Sequence, residues 1–135
     1  MTPKFRAWHK KEKSMYVVLN IYFDTGRTPI VTVSSSQSSD GLMELEVGVD
    51  CELMQSTGLN DKNSKENFDG DVCSFKDDHN EKHIGIIKQE NGCWIVKSIV
   101  DDEEGNHTSF LWETHDDRIT IGNIYENPEL LEVKE

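Results

Sequence analysis

His83-Ile84-Gly85-Ile86-Ile87-Lys88-Gln89-Glu90-Asn91-Gly92-Cys93-Trp94-Ile95-Val96-Lys97-Ser98-Ile99-Val100 is the stretch that decides the fold. Two apolar, β-branched runs stand on either side of Asn91-Gly92. Both residues of that pair tolerate the positive φ of a two-residue hairpin turn, which makes Asn-Gly the strongest short-range hairpin signal. The flanks predict strands over His83 to Lys88 and Cys93 to Val100. Working outward, similar runs occur at Asp71 to Lys76, Thr108 to Glu113 and Ile119 to Tyr125. Turn-forming residues separate them at Asp77-Asp78-His79-Asn80 and over Asp101 to Asn106. Short strands punctuated every 8–12 residues indicate an all-β sandwich or barrel. Five strands over residues 71–135 predict a small closed or nearly closed barrel of SH3-like size. At its end, Asn127-Pro128-Glu129 has the composition of a single helical turn, with Asn as cap and Pro at the first helical position.

Upstream, Lys4 to Trp8, Met15 to Phe23 and Pro29 to Val33 read as three further strands, with a charged turn at Lys10-Lys11-Glu12-Lys13. Met43, Leu45, Val47 and Val49 alternate with Glu44, Glu46, Gly48 and Asp50, the pattern of a half-buried strand over Leu42 to Asp50. Ser34 to Gly41 is a polar, low-complexity segment with nothing to bury, and is expected to be mobile. Thr57 to Gly70 is rich in Gly, Asn and Asp and reads as a long ordered loop. The resulting division is an N-terminal β region (1–56), a loop (57–70) and a barrel portion (71–135).

Of the 135 residues, 35% are apolar and 30% charged. That implies a thin core with a large wetted surface, or a subunit that buries more on assembly. No run approaches the roughly 18 apolar residues of a membrane helix, and the first residues lack a signal-type apolar run. The expected location is therefore the cytoplasm. Cys51, Cys73 and Cys93 are odd in number, form no C-x-x-C pair and sit in apolar runs, as reduced core thiols would.

A net charge of −12 argues against direct nucleic-acid binding, which needs clustered Lys and Arg. The charge is segregated. Residues 1–33 carry a net +4 and residues 34–135 a net −16. Opposite patches favour contacts between copies of the chain. Trp8 follows Arg6 in a basic segment with little chain around it, so Lys4, Phe5, Arg6 and Trp8 are the expected oligomer contacts. In this reading Lys4 to Val33 is an arm that packs on the acidic body of a neighbour. The −16 portion admits another reading, an acidic inhibitor that imitates DNA towards a host nucleic-acid-binding protein, with Asp101-Asp102-Glu103-Glu104 as one element.

Catalytic and metal constellations each have a simpler explanation. His79 and His83 are four apart, which joins two imidazoles on a helix but not across a turn. Asp69, Asp71, Asp77 and Asp78 contain enough carboxylates for a Mg²⁺ cage of a hydrolase. Asp71 after Gly70, however, has the placement of a turn cap bonded to its own backbone. Cys73 or Cys93 with His79 or His115 would need an electropositive surround to form thiolate. Trp8, Trp94 and Trp112 would stack bases only beside a positive groove. No catalytic residue, cofactor or metal is assigned.

Four segments, in order, resemble the YopX family of phage- and prophage-encoded proteins. They are Lys4-Phe5-Arg6-Ala7-Trp8, then Met54-Gln55-Ser56-Thr57-Gly58-Leu59 with Asp61-Lys62-Asn63, then Gly70-Asp71-Val72, and finally Ile121-Gly122-Asn123-Ile124-Tyr125-Glu126-Asn127-Pro128-Glu129-Leu130-Leu131. Ser64 stands where the family usually has Gly, and Asn67 where it favours an apolar residue before Phe68. The resemblance implies an all-β fold, a phage or prophage origin in a bacterial cell and a tendency to oligomerise. It brings no catalytic residues with it.

Overall fold

Short alternating strands can bury a face only by pairing, and here they pair as antiparallel sheets. The computed structural model describes residues 4–24, 26–102 and 105–132, with backbone alone for 101, 102 and 105–107. The chain divides into two compact units, Met1–Gln55 and Ser56–Glu135.

The first unit holds β1 (Phe5–His9), β2 (Ser14–Tyr22), β3 (Ile30–Ser34), β4 (Leu42–Glu46) and the start of β5 (Cys51–Asn60). The strand order is β4-β3-β2-β1-β5. Register places Ala7 between Tyr16 and Leu53, and sets Val31 opposite Leu45 and Val33 opposite Met43. Directly opposed side chains share a face. These residues therefore make one apolar layer, in which Ala7, Val31, Val33, Leu45 and Cys51 are fully buried. Each buried Val or Leu contributes about 1.5–3 kcal/mol. β1 lies inside this sheet rather than forming a detached arm. Trp8, flanked by Met15 and Glu52, is only 9% exposed within its own chain. That removes the ground for expecting its indole between subunits.

One segment of this unit departs from expectation, and another is the loop its sequence indicates. The Leu42–Asp50 alternation ends as a strand at Glu46, and Val49 is 61% exposed in the turn that follows. The Ser-rich segment is a hydrogen-bonded loop. Ser35 N donates to Gly41 O at 2.8 Å, and Asp40 Oδ1 accepts from Ser38 Oγ and Leu42 N. Local side-chain bonds supply the order that apolar burial does not.

In the second unit β5 continues to Asn60 and pairs with β6 (Glu66–Phe68). The stretch expected as a loop over 57–70 is thus half strand, with a turn between Asn60 and Glu66. β7 (Asp71–Lys76), β8 (Lys82–Glu90), β9 (Cys93–Asp102), β10 (Gly105–Phe110) and β11 (Ile119–Asn123) form a five-stranded sheet in the order β10-β9-β8-β7-β11. Asn91 (φ 53°) and Gly92 (φ 78°) make the predicted hairpin turn, with Glu90 opposite Cys93. Among the described residues no ladder joins β10 to β11, so the sheet is open and the closed SH3-like barrel is not formed. One cause is that the expected strand Thr108–Glu113 stops at Phe110. Leu111–Thr114 turns as a 3₁₀ helix, which brings β11 back beside β7. A second 3₁₀ turn, Pro128–Leu131, follows Asn127. The Asn127 side chain does not cap it; its Oδ1 accepts from Asn123 N at 3.3 Å.

Cys73, Phe75, Ile87, Val96 and Leu111 form the core of this sheet, with Trp94 packed against it. Gly85 is required there. A Cβ at this position would lie 2.8 Å from both Lys97 O and Phe75 Cε1. Gly85→Ala is therefore expected to lower stability by about 1–3 kcal/mol in denaturant titration. An unchanged midpoint would show that the sheet has room the geometry denies.

Candidate functional site

The polar centre of the second unit forms around Arg118, which has no exposed surface. Its Nε donates to Asn67 Oδ1 at 2.9 Å. Nη1 donates to Leu111 O and, at 2.8 Å, to Thr114 Oγ1. Nη2 donates to Asn60 O at 2.8 Å. Asn67 Nδ2 donates in turn to Thr120 Oγ1 at 2.8 Å and Asp71 Oδ2 at 3.3 Å. Asp61 accepts from Thr120 N, Thr120 Oγ1, Asn63 N and Lys65 N. Burial pushes the Arg118 pKa down, and the negative charges of Asp61 and Asp117 offset part of that; a guanidinium nevertheless stays charged in a protein. Burial alone would raise the Asp61 pKa, but its four hydrogen bonds outweigh burial and hold it below the usual carboxylate range. Asp71 Oδ2 accepts from Phe68 N at 2.8 Å, so Asp71 does cap its own turn. These polar groups serve the fold.

The carboxylate cage does not assemble. Asp71 and Asp77 stand at opposite ends of β7, roughly 20 Å apart at strand rise. Asp69 is half-buried, and burial raises its pKa while Lys88 offsets part of that.

At the other end of β7 the turn to β8 gathers a different set. Phe75 opposes His83 across the strands, and the two rings stack at 5.5 Å and 29°. Asp77 N donates to Glu81 O at 2.9 Å, making these two residues the next facing pair. Asp77 Oδ1 accepts from His79 N and Glu81 N, and Oδ2 lies 2.7 Å from His83 Nε2. The hydrogen bond from His83 comes first among the causes that hold the Asp77 carboxyl at about 2. Asp77, Glu81 and His83 each place a ligand-type atom within 4.8 Å of the others. His79 is exposed at the loop tip and contributes only its backbone N–H here. Cross-strand register, not the spacing of the two histidines, makes the cluster.

Two of the three thiols are held protonated by burial. Burial, the largest cause, raises Cys51 to about 11 and Cys73 to about 12. Cys93 is exposed at the start of β9, contrary to the expectation of a core thiol. Trp8 is buried and Trp94 half-buried. Trp112 is 64% exposed, stacked on Phe110 at 6.0 Å and 10°. Of Asp101-Asp102-Glu103-Glu104, the first two end β9; Glu103, Glu104 and the side chains of the run lie outside the described residues.

Two surface features have room for a partner. On β2, Val17 faces the same side as Arg6, away from the Ala7 layer. With Leu19, Tyr22 and Phe23 it leaves four large apolar side chains 57–72% exposed. Of the other expected contacts, Lys4 is exposed while Phe5 and Arg6 are half-buried. In the second unit, an open groove of about 780 Å³ runs between β8, β9 and the Pro128–Leu131 turn, lined by Lys82, His83, Ile84, Ile99 and Leu130 among others.

Two outcomes follow for the polar centre and the hairpin end. Arg118→Ala leaves Asn60 O, Leu111 O and Asn67 Oδ1 without their donor, and should cost about 3–5 kcal/mol by chemical denaturation; a loss under 1 kcal/mol would contradict the network. Asp61 and Asp77 titrate lower folded than unfolded. Their stabilisation is present above the ordinary value of 3.8 and is lost as pH falls through the folded value, about 2 for Asp77. Melting temperatures between pH 5 and pH 2 should fall less steeply in Asp61→Asn and Asp77→Asn than in the wild type. Parallel curves would exclude both groups.

Among the described residues no helix is long and apolar enough to cross a membrane. Comparison with curated proteins gives no match. Two solved structures are similar over nearly the whole chain. The crystal structure of protein EF1440 from Enterococcus faecalis is 29% identical, with 98% of this chain and 99% of that one covered and a TM-score of 0.61. The X-ray structure of protein yopX from Bacillus subtilis is 18% identical, with 96% and 98% covered and a TM-score of 0.65. The family model described as YopX protein matches residues 4–132, nearly all of the described chain, and the protein belongs to the YopX family.

Proposed function

We propose that this protein is a non-enzymatic binding module that assembles with further copies of itself. The observation that carries this is that Val17, Leu19 and Tyr22 on β2, and Phe23 just past its end, are each more than half exposed. Contiguous exposed apolar residues on a soluble domain mark interaction surfaces. The charge distribution selects the occupant. The strip belongs to a segment of net +4, and the rest of the chain carries −16. A second copy thus offers an acidic surface to the basic rim of the strip, which steers encounter and fixes orientation. The contact set moves from Trp8, which its own sheet covers, to β2. Lys4 and Arg6 remain as the flanking charges. Action in the cytoplasm of a bacterial cell, on a phage or prophage programme, belongs to the same proposal.

Light scattering at tens of micromolar protein in low salt should give a mass above the 15.5 kDa of one chain. High salt should reduce that mass. The double variant Leu19→Lys, Tyr22→Ser should be monomeric with an unchanged melting temperature, since both side chains already face solvent. A monomeric wild type, or an assembly indifferent to the double variant, would overturn the proposal.

A further inference from the structure

We propose that the end of the β7–β8 hairpin is a divalent-cation site of zinc type, with Asp77, Glu81 and His83 as its protein ligands. Antiparallel pairing puts directly opposed residues, and those two further along, on one face. Asp77 faces Glu81 across the last rung, and His83 faces Phe75 one step back on the same side. A carboxylate, a second carboxylate and an imidazole therefore converge, with Asn80 taking the positive φ (65°) that the turn between them needs. Their ligand atoms lie within 4.8 Å of one another. Metal–ligand bonds of about 2.0–2.2 Å set tetrahedral ligands roughly 3.3–3.6 Å apart, so the exposed Glu81 side chain must draw in by about an ångström to close on one ion.

Two of the three ligands are held in place before any ion arrives. Phe75 stacks on the His83 ring, and two backbone N–H groups hold one Asp77 oxygen. The side chains of His83 and Asp77 are 12% and 9% exposed, while Glu81 is exposed. An ion would thus be gripped from the protein side and open to water on the other. His83 also lines the 780 Å³ groove, so the imidazole is reachable from solvent.

Donor chemistry chooses the ion. One nitrogen and two carboxylate oxygens suit Zn²⁺ or Co²⁺; Mg²⁺ and Ca²⁺ favour oxygen ligands only, and more of them. Two carboxylates with a neutral imidazole also balance a charge of +2. The ion would take the place of the hydrogen bond between His83 Nε2 and Asp77 Oδ2, now 2.7 Å long. Lys76 and Lys82 form the intervening cross-strand pair, and strand alternation sends their side chains to the opposite face.

The test uses the full chain with Zn²⁺, Co²⁺ and Mg²⁺ added separately. Zn²⁺ at a hundredfold excess over its Kd should raise the melting temperature by about 5–10 °C, and Mg²⁺ should not. Co²⁺ should develop the visible absorption of a low-coordinate N/O site. Glu81→Gln and His83→Gln should each abolish both signals, and His79→Gln and His115→Gln should leave both intact. Glu81 is exposed, so its variant reports on the ion even if the His83 variant folds poorly. Absence of a Zn²⁺ shift overturns the proposal. So does a shift that survives Glu81→Gln, or one that His79→Gln removes, since that would place the ion on surface histidines.

Discussion

A guanidinium with no route to water must have its donors met by the protein, and that demand organises the second unit. Arg118 reaches Asn60 at the end of β5, Asn67 in β6, and Leu111 and Thr114 in the 3₁₀ turn. β5 and β6 already pair as strands and Leu111 is a core residue, but neither contact ties the 3₁₀ turn to the β5–β6 pair. They meet because an unmet hydrogen bond to a buried charge is costly. The network also explains the open sheet. By holding the Leu111–Thr114 turn, Arg118 fixes where the chain reverses and sends β11 back to the β7 edge. The sheet therefore gains a fifth strand without closing on itself.

Local chemistry was legible in the sequence and distant chemistry was not. Asn91-Gly92 announced its turn because positive φ is a property of those two residues. The strands of the first unit followed from alternation, and Gly70-Asp71 from its cap. Arg118 left no local mark, since Asn67 and Asn60 are 51 and 58 residues away. The same blindness turned Thr57–Gly70 into an expected loop. Its Gly, Asn and Asp residues were read as turn formers; Asp61 does hold a turn through Asn63 N and Lys65 N, but Asp61 and Asn67 are also buried and bond to Thr120, Asp71 and Arg118. The cover that its own sheet gives Trp8 was hidden for a related reason. The sequence shows how few residues precede it, not that β2 and β5 close around it.

The cluster at the hairpin end was half visible. The stretch 77–83 stood out by composition, but the eye falls on two histidines at helical spacing. A strand register pairs Asp77 with Glu81 and brings in His83 instead, which becomes evident only once Phe75 and His83 are known to face each other. The exposed strip on β2 was hidden in the opposite way. Val17 and Leu19 look like core residues in a β-branched, aromatic run, and only the burial of Ala7 and Tyr16 on the other side shows which face is turned outward.

Among the described residues β4 ends its sheet, so one side of its backbone has no partner strand there. Leu42, Glu44 and Glu46, on one face of it, are all exposed. Were another copy to add its own β4 there, carboxylates would meet carboxylates along the new ladder, and like charges directly opposed are unfavourable. The edge is thus guarded against uncontrolled stacking. A strand edge of this kind is a poor template, because each strand added to it would bring its own row of charge against the last.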